Sequence, residues 1–220
     1  MRVVANAAIS ADGKLSSRER RQVEISGPAD FERVDELRAE SDAVMVGIGT
    51  VLADDPSLTI DDQELKDERI DRGKPANPAR IVADSRIRTP PDSKVLDDRA
   101  ESYLLVSETA PTDFVVQMEE AGATVISAGD NRVDLAQALG ELDSHGIEQW
   151  MVEGGGEIIY SLFEAALVDR LSIFVGSMII GGRDAPTLAD GSGFVSEFPE
   201  LSLESVKRLD DGVVLDYTVE

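Results

Sequence analysis

The sequence contains no cysteine and a single histidine among its 220 residues. Without cysteine there is no disulfide scaffold, no thiolate-bound zinc or iron–sulfur cluster and no thiol nucleophile. One histidine also leaves little for a histidine-based metal site, so no metal is expected. No apolar run approaches the roughly 18 residues of a membrane span. The first residues lack the apolar region of a signal peptide. We therefore expect a globular, cytoplasmic protein.

Basic residues are also scarce, since 21 Lys and Arg stand against 44 Asp and Glu, for a formal net charge of −23. This surplus repels nucleic-acid phosphates and anionic membranes, so neither is an expected partner. The acidic residues are dispersed, and arginine far outnumbers lysine. This composition indicates a halophilic archaeal protein, because salt screens the self-repulsion. An ordinary acidic bacterial protein is the alternative.

Short apolar runs that end at turn residues alternate with helical periodicity along the chain. Near the C-terminus two segments alternate with period two around Asp210-Asp211-Gly212, which predicts a hairpin. We therefore predict an α/β fold with a mostly parallel sheet flanked by helices and an antiparallel C-terminal hairpin, in one domain over residues 1–220. The predicted strands span residues 3–9, 42–47, 79–83, 103–106, 123–126, 149–152 and 171–175, followed by the hairpin strands 201–209 and 213–219.

Two further predictions concern which residues are buried and which are exposed. Gly27-Pro28 predicts a helix start, and the spacing of Phe31, Val34 and Leu37 predicts that these three form its buried face. Residues 61–78 are charged and then rich in Pro and Asn, which predicts an exposed insertion with little core contact.

The strongest local feature is the junction of strand 149–152 with a helix through Gly154, Gly155 and Gly156. Glycines let a ligand approach the backbone, and a helix N-terminus binds phosphate groups. The pattern differs from the dinucleotide-binding G-x-G-x-x-G motif. A turn that needs positive φ would also use glycine, yet three in succession exceed what one turn needs. We therefore predict an anion site here.

Two other strand ends carry polar residues. Thr50 and Asp54 are four residues apart, so on a helix both would face one side and could hold a hydroxylated ligand. Capping of backbone N–H groups by Asp54 or Asp55 is the alternative. Arg86 and Arg88 follow another strand, where guanidinium groups could bind a 2′-phosphate bidentately. Their alternative role is pairing with surface acids.

Taken together, these segments resemble the pyrimidine reductases of riboflavin biosynthesis, whose fold is like that of dihydrofolate reductase. The resemblance covers nearly the whole chain and is carried by residues 6–14 (NAAISADGK), 37–43, 49–59 (GTVLADDPSLT), 80–85 (RIVADS), the Glu153 triple-glycine turn and residues 180–182. It implies NADPH as cofactor and reduction of the ribosyl group of a 2,5-diamino-6-ribosylamino-pyrimidinone 5′-phosphate to the ribityl form. The alternatives are a pterin reductase and a non-catalytic nucleotide-binding domain.

Many bacterial relatives carry a fused zinc deaminase, whose H-x-E and P-C-x-x-C ligands cannot occur in a chain without cysteine. The resemblance is therefore to the stand-alone reductases of the archaeal and fungal route. It also implies site residues. The cofactor contacts would be Ala8, Thr50, Asp54, Ser85, Gly154, Gly155, Gly156, Glu157 and Ile158, to which the charge argument adds Arg86. The substrate contacts would be Asn6, Gln22, Arg38, Leu58 and Glu153, with Arg38 suited to the 5′-phosphate. Asp61 departs from bacterial members, which often carry a basic residue there.

Three residues are candidates for catalysis. The Glu153 carboxylate suits stabilisation of an electron-poor imine, unless it only accepts backbone hydrogen bonds from the turn. Asp12 and Lys14 are candidates for the general acid, although Asp12-Gly13 fits a β-turn equally well. His145 is expected to cap a helix C-terminus and to have no catalytic role. We also predict a homodimer through the apolar run Phe174–Ile180, for which an ordinary buried strand is the alternative.

Overall fold

The structure is a computed structural model that describes all 220 residues. It contains six α-helices and nine strands. The helices are α1 (Pro28–Glu40), α2 (Ile48–Asp54), α3 (Gln63–Asp71), α4 (Thr112–Glu120), α5 (Leu135–Ser144) and α6 (Gly156–Glu164). The strands are β1 (Arg2–Ser10), β2 (Ala43–Gly47), β3 (Ala79–Ala83), β4 (Ser102–Val106), β5 (Thr124–Ser127), β6 (Gln149–Val152), β7 (Arg170–Gly176), β8 (Leu201–Leu209) and β9 (Gly212–Val219).

The chain divides into two compact units, the first formed by Met1 and residues 35–150 and the second by residues 2–34 and 151–220. In the first unit β2 pairs with β3, β3 with β4 and β4 with β5, all in parallel. The strands are apolar runs because both faces are covered, and Val44, Met45 and Leu104 are completely buried. This unit is therefore a parallel sheet with its core around the strand centres.

In the second unit β1 and β7 pair in parallel, whereas β7 with β9 and β9 with β8 pair antiparallel. Asp210, in the β8–β9 turn, has a left-handed φ of 47° and accepts the Asp30 N–H at the start of α1 (3.1 Å). The hairpin turn thereby caps a helix. These pairings confirm the predicted mostly parallel sheet and antiparallel C-terminal hairpin. The single reductase domain stays a prediction.

The structure contradicts the predicted buried face of α1 at Phe31, whereas Val34 and Leu37 on that face are half-buried. Phe31 is 53% exposed, whereas Asp30 and Asp35 are buried. These two carboxylates accept hydrogen bonds from Arg33 and from backbone N–H groups. Because buried polar groups can be stabilised by such partners, apolar spacing alone was a poor guide to this face.

The predicted insertion at residues 61–78 is largely exposed, as expected, but it is anchored to the rest of the first unit through one helix. It contains α3, whose N-terminus is capped by the Asp62 side chain. Arg69 on this helix is only 1% exposed and donates to the Ala39 and Ser41 carbonyl oxygens (2.8 and 2.7 Å). Helix C-termini leave carbonyl groups without partners, so the arginine is buried against the end of α1.

The proposed dimer seam fails for its strand portion, because β7 is hydrogen-bonded to β1 on one side and β9 on the other. Phe174 is accordingly 1% exposed. Trp150 and Met151 are fully buried in the core. His145 caps the C-terminus of α5 as expected, and its ring packs edge-on against Tyr103. No helix in the structure has both the length and the apolar character needed to span a membrane.

Candidate active site

In the second unit the triple-glycine turn leads from β6 into α6. Gly154 and Gly155 have positive φ values of 108° and 77°, a region that favours glycine. Gly154 is buried, yet a Cβ atom built on it would meet no atom within 4 Å. The backbone at Gly154 therefore borders open space of the kind that a closely approaching ligand would fill. Glu153, immediately before it, is half-buried.

Gly156, the third glycine, is required for a different reason. A Cβ atom on Gly156 would lie 2.3 Å from the Thr187 carbonyl oxygen, and the Asp190 N–H donates to the Gly156 carbonyl (2.9 Å). Asp190 also accepts the Thr187 N–H through its carboxylate. Gly156 is therefore required by the packing of the segment 187–190, which corrects the interpretation that all three glycines serve a ligand.

The N-terminus of α6 has no capping side chain, because Gly155 stands at the cap position. Its first N–H groups are the kind that bind phosphate. Ile158 already donates its N–H to the Gly155 carbonyl (3.0 Å). Glu157 is exposed and lies 3.9 Å from Arg20, a separation at which a surface ion pair contributes little.

The turn after β1 holds the two candidate proton donors. Asp12 accepts the Ser10 hydroxyl (2.6 Å) and the N–H groups of Ile180 and Gly181 (3.1 and 2.8 Å). These hydrogen bonds, that from Ser10 foremost, lower the pKa of Asp12 to about 2. A group ionised at neutral pH cannot donate a proton there. The geometry favours the β-turn alternative, as does the Gly13 N–H bond to the Ser10 carbonyl (2.8 Å).

Lys14 donates through Nζ to the Ala185 carbonyl oxygen (3.1 Å), and its backbone bridges to Thr187. Lys14 thus contacts Ala185 and Thr187, at the start of the segment that packs on Gly156. Both residues fasten chain segments within the second unit.

Asn6 and Ala8 lie on one face of β1, because side chains two residues apart on a strand share a face. Asn6 is 6% exposed, and its Oδ1 accepts from Arg33 (2.9 Å). Arg33 also donates to Asp30 and to the Ser172 hydroxyl. Sequence reasoning missed this arginine, although its i,i+3 spacing from Asp30 is a visible signal. Gln22 is exposed in the loop before α1.

In the first unit Thr50 and Asp54 lie on α2, one turn apart as predicted. The Asp54 side chain is exposed, yet nearby protein atoms partly desolvate its carboxyl group. This desolvation raises the pKa of Asp54 above the usual value. Asp55, at the C-terminal end of α2, accepts the Lys94 N–H (2.8 Å). The capping alternative therefore describes Asp55, whereas Asp54 stays available for a ligand.

The loop after β3 is organised by Asp84, which is completely buried. Its carboxylate accepts the Arg88 and Thr89 N–H groups (2.5 and 2.7 Å) and the Thr89 hydroxyl (2.8 Å). Arg88 lies 3.7 Å from the second Asp84 oxygen, so its alternative role as an acid partner has support. Arg86 is exposed.

One contact shows how the Ser85 hydroxyl group is used. Its hydroxyl oxygen accepts the Val133 N–H (3.0 Å). A hydroxyl group carries one donor and two acceptor positions, so its hydrogen remains to be donated to an acceptor such as a ribose or phosphate oxygen. Asp84 lies in the segment 80–85 that carries the family resemblance, but sequence reasoning assigned it no role; in the structure it positions this loop.

Arg38 and Leu58, the remaining predicted substrate residues, also lie in the first unit. Arg38 donates to the Thr59 carbonyl oxygen (2.7 Å). Leu58 is buried with a left-handed φ of 52°. Each unit thus carries groups suited to polyanionic ligands: hydroxyl and guanidinium groups in the first, and an uncapped helix N-terminus in the second. Such features are typical of α/β proteins that bind nucleotides.

Comparison with known proteins identifies the family. A family model described as the RibD C-terminal domain matches residues 1–215. The chain is 45% identical over 210 residues to the 2,5-diamino-6-ribosylamino-4(3H)-pyrimidinone 5′-phosphate reductase of Archaeoglobus fulgidus, covering 96% of this chain and 94% of that protein. It is 43% identical over 220 residues to the protein of the same name from Methanothermobacter thermautotrophicus, covering 99% and 98%.

A solved pyrimidine reductase-like protein from Corynebacterium diphtheriae has the same fold, with a TM-score of 0.88 over 100% of this chain and 92% of that one, at 19% identity. The chain belongs to the RibD C-terminal domain family. The resemblance stated from the sequence is confirmed.

Proposed function

We propose that this protein reduces the ribosyl group of 2,5-diamino-6-ribosylamino-4(3H)-pyrimidinone 5′-phosphate to a ribityl group, as an oxidoreductase of riboflavin biosynthesis. The observation that carries the proposal is the 43–45% identity to two archaeal reductases of that name over nearly their whole length. Two relatives named for the same activity, each matched over nearly its whole length, support that activity here.

The reaction fixes what the protein must do. The ribosylamine opens to an imine, and the anomeric carbon then takes up a hydride while the imine nitrogen takes up a proton. A bound nicotinamide would supply the hydride. The protein must bind the 5′-phosphate, exclude water and stabilise the positive charge of the protonated imine. We assign phosphate binding to Arg38, with Leu58, Asn6 and Gln22 as further substrate contacts, and charge stabilisation to Glu153.

The residues present fit NADPH. The open space beside Gly154 suits close approach of a phosphate to the backbone, and the uncapped start of α6 supplies N–H donors. Ser85 has a hydroxyl hydrogen to donate. Thr50 and Asp54 on α2 and Ala8 on β1 are further proposed contacts. Exposed Arg86 is suited to the 2′-phosphate.

The activity is tested with purified protein and the phosphorylated pyrimidine, following loss of nicotinamide absorbance and identifying the ribityl product by mass spectrometry. The proposal requires turnover of this substrate and not of dihydrofolate. Turnover of a pterin alone would favour the pterin reductase, and cofactor binding without any turnover would favour a non-catalytic nucleotide-binding domain.

Cofactor preference is tested with Arg86→Ala. Loss of the guanidinium should weaken NADPH binding by about tenfold or more and leave NADH nearly unchanged, because only NADPH carries the 2′-phosphate. Arg72→Ala is the matched control, since Arg72 is an exposed arginine paired with Glu68 on α3. It removes the same charge and should leave both affinities unchanged. Equal losses of NADPH and NADH in Arg86→Ala would contradict the assignment.

We further propose a homodimer formed through β8. This strand stands at the end of its sheet, so one side has no strand partner. Leu201, Leu203 and Val206 on it are 39%, 54% and 61% exposed. Long apolar edges are usually covered, and a second copy would cover this one. Light scattering should give twice the chain mass of 23.7 kDa. The double variant Leu203→Lys/Val206→Lys should be a monomer. The control Val195→Lys, at an exposed residue outside β8, should stay a dimer.

We also propose a cytoplasmic, salt-adapted protein. At 1 M salt the screening length falls to about 3 Å, which relieves repulsion among the surplus acids. The unfolding midpoint should therefore rise steeply between low and molar potassium chloride. A flat series would contradict adaptation to salt.

A further inference from the structure

Asp35 is a buried carboxylate at the centre of a hydrogen-bonded brace in the first unit. It lies on α1 and is 7% exposed. One oxygen accepts the N–H groups of Asp61 and Asp62 (2.7 and 3.0 Å), and the other lies 3.4 Å from the Arg38 guanidinium. A single side chain thus holds both the segment after Leu58 and an arginine one helical turn away.

The same arginine closes the brace. Arg38 donates to the Thr59 carbonyl oxygen (2.7 Å), so the segment 58–62 is tied to α1 by Asp35 and by Arg38 together. Leu58, just before, has a left-handed φ of 52°, a conformation that costs energy for a leucine and persists only when its surroundings hold it. The position of Leu58 and the position of the Arg38 guanidinium are therefore set by one set of contacts.

The C-terminal end of α1 is held as well. Buried Arg69 on α3 donates to the carbonyl oxygens of Ala39, in the last turn of α1, and of Ser41, just after it. Asp62, whose N–H donates to Asp35, is the N-cap residue of α3. With α1 fixed at its C-terminal end, the Asp35 contacts help to determine where the half-buried Arg38 side chain points.

We propose that Asp35 is a positioning residue for the 5′-phosphate-binding Arg38, an inference that rests on the proposed function. Electrostatics alone would disfavour Asp35, because a carboxylate beside Arg38 reduces the attraction of the guanidinium for a phosphate dianion. The gain is in geometry. Arginine binds phosphate well when its planar group is held in place, since less side-chain freedom is then lost on binding.

The test compares Asp35→Ala with Asp62→Ala, using the phosphorylated pyrimidine and its dephosphorylated form as substrates. Asp35→Ala should raise KM for the phosphorylated substrate by about tenfold or more, with kcat within about threefold. The kcat/KM for the dephosphorylated substrate should change by less than about twofold. Asp62→Ala removes the α3 cap and lowers stability, but should leave the preference for phosphorylated substrate intact. Asp35→Asn, which keeps an acceptor oxygen, should recover part of the affinity.

Three results would overturn the role of Asp35: an unchanged KM, tighter binding of phosphate in Asp35→Ala, or equal losses with both substrates. Titration with ribose 5-phosphate separates this inference from the proposed function. If the unmodified protein binds ribose 5-phosphate but reduces no pyrimidine, the proposed function fails, and the titration of Asp35→Ala then decides the role of Asp35. If the unmodified protein binds no ribose 5-phosphate, Arg38 is not a phosphate site and the inference fails.

Discussion

Two strand-to-helix turns look alike in the sequence and differ in the structure. In the first unit β2 passes into α2 through Gly47 and Gly49, neither of which has positive φ. A Cβ atom on Gly49 would meet nothing within 4 Å. In the second unit β6 passes into α6 through Gly154 and Gly155, with positive φ, and Gly156, which is packed against a carbonyl oxygen.

The difference separates reasons for glycine that a sequence cannot separate. Gly156 is required by the fold and Gly49 is not. Gly154 combines a left-handed backbone with open space, the combination that suits a ligand. Glu153 precedes this second turn, and no acid holds the same position before the first, where Val46 and Gly47 end the strand. We therefore expect substitutions at the second turn to have the larger effects.

The largest effect is expected for Glu153→Gln. The substitution keeps size and hydrogen-bonding capacity but removes the charge that would stabilise the cationic imine. Turnover should fall by about 10²-fold or more while NADPH affinity holds. Steady-state kinetics and cofactor titration on the same variant measure both quantities. Glu148→Gln, at the exposed residue just before β6, is the control and should leave turnover intact. A Glu153→Gln variant with near-normal turnover and lower stability would assign Glu153 to holding the turn.

Much of this architecture could be predicted because buried parallel strands are apolar runs, as at β2, β3 and β4. The charged contacts could not. Arg69 is buried because the carbonyl groups at the end of α1 need donors, and nothing in the local sequence of α3 indicates them. Likewise, α1 buries Asp30 and Asp35 in place of Phe31, because the partners of those carboxylates come from distant segments.

The candidate site shows the same limit. The family resemblance gave residues such as Arg38, Thr50 and Ser85, but not the contacts that hold them. Asp84 and Asp35 act through backbone N–H groups several to many residues away. The packing reason for Gly156 depends on Thr187, 31 residues later. Turn patterns indicate that a glycine is needed, but the reason for it depends on tertiary contacts that the local sequence does not contain.

The next effect in size is on stability. Gly156→Ala would place a methyl group against the Thr187 carbonyl oxygen and should lower the free energy of unfolding by about 1–3 kcal/mol. Chemical denaturation in molar salt measures it. Adding Thr187→Gly to this variant removes only the Thr187 side chain and keeps its carbonyl oxygen, so it should not restore stability. A Gly156→Ala protein as stable as the unmodified one would mean that the 187–190 segment moves away at little cost.

A smaller effect is expected at the turn after β1. Asp12, with a pKa of about 2, is ionised in the folded protein throughout the working range. Its lowered pKa contributes stability above its usual pKa, and that contribution is lost as the pH falls towards 2. Asp12→Asn should therefore leave the shape of the kcat profile between about pH 5 and 9 unchanged. Loss of an ionisation from that profile would restore Asp12 as a candidate general acid.

The smallest effect, of opposite sign, is expected for Gly49→Ala. Because Gly49 lies in α2 with ordinary φ and open space around it, alanine should fit and should reduce the freedom of the unfolded chain. The free energy of unfolding should rise by about 0.5–1 kcal/mol. Gly140→Ala in α5, also open around its Cβ position, is the matched control and should give a similar gain. NADPH affinity should change by less than about threefold in both variants. A loss of affinity confined to Gly49→Ala would show that the cofactor approaches the backbone at the first turn as closely as at the second, and the contrast between the two turns would then fail.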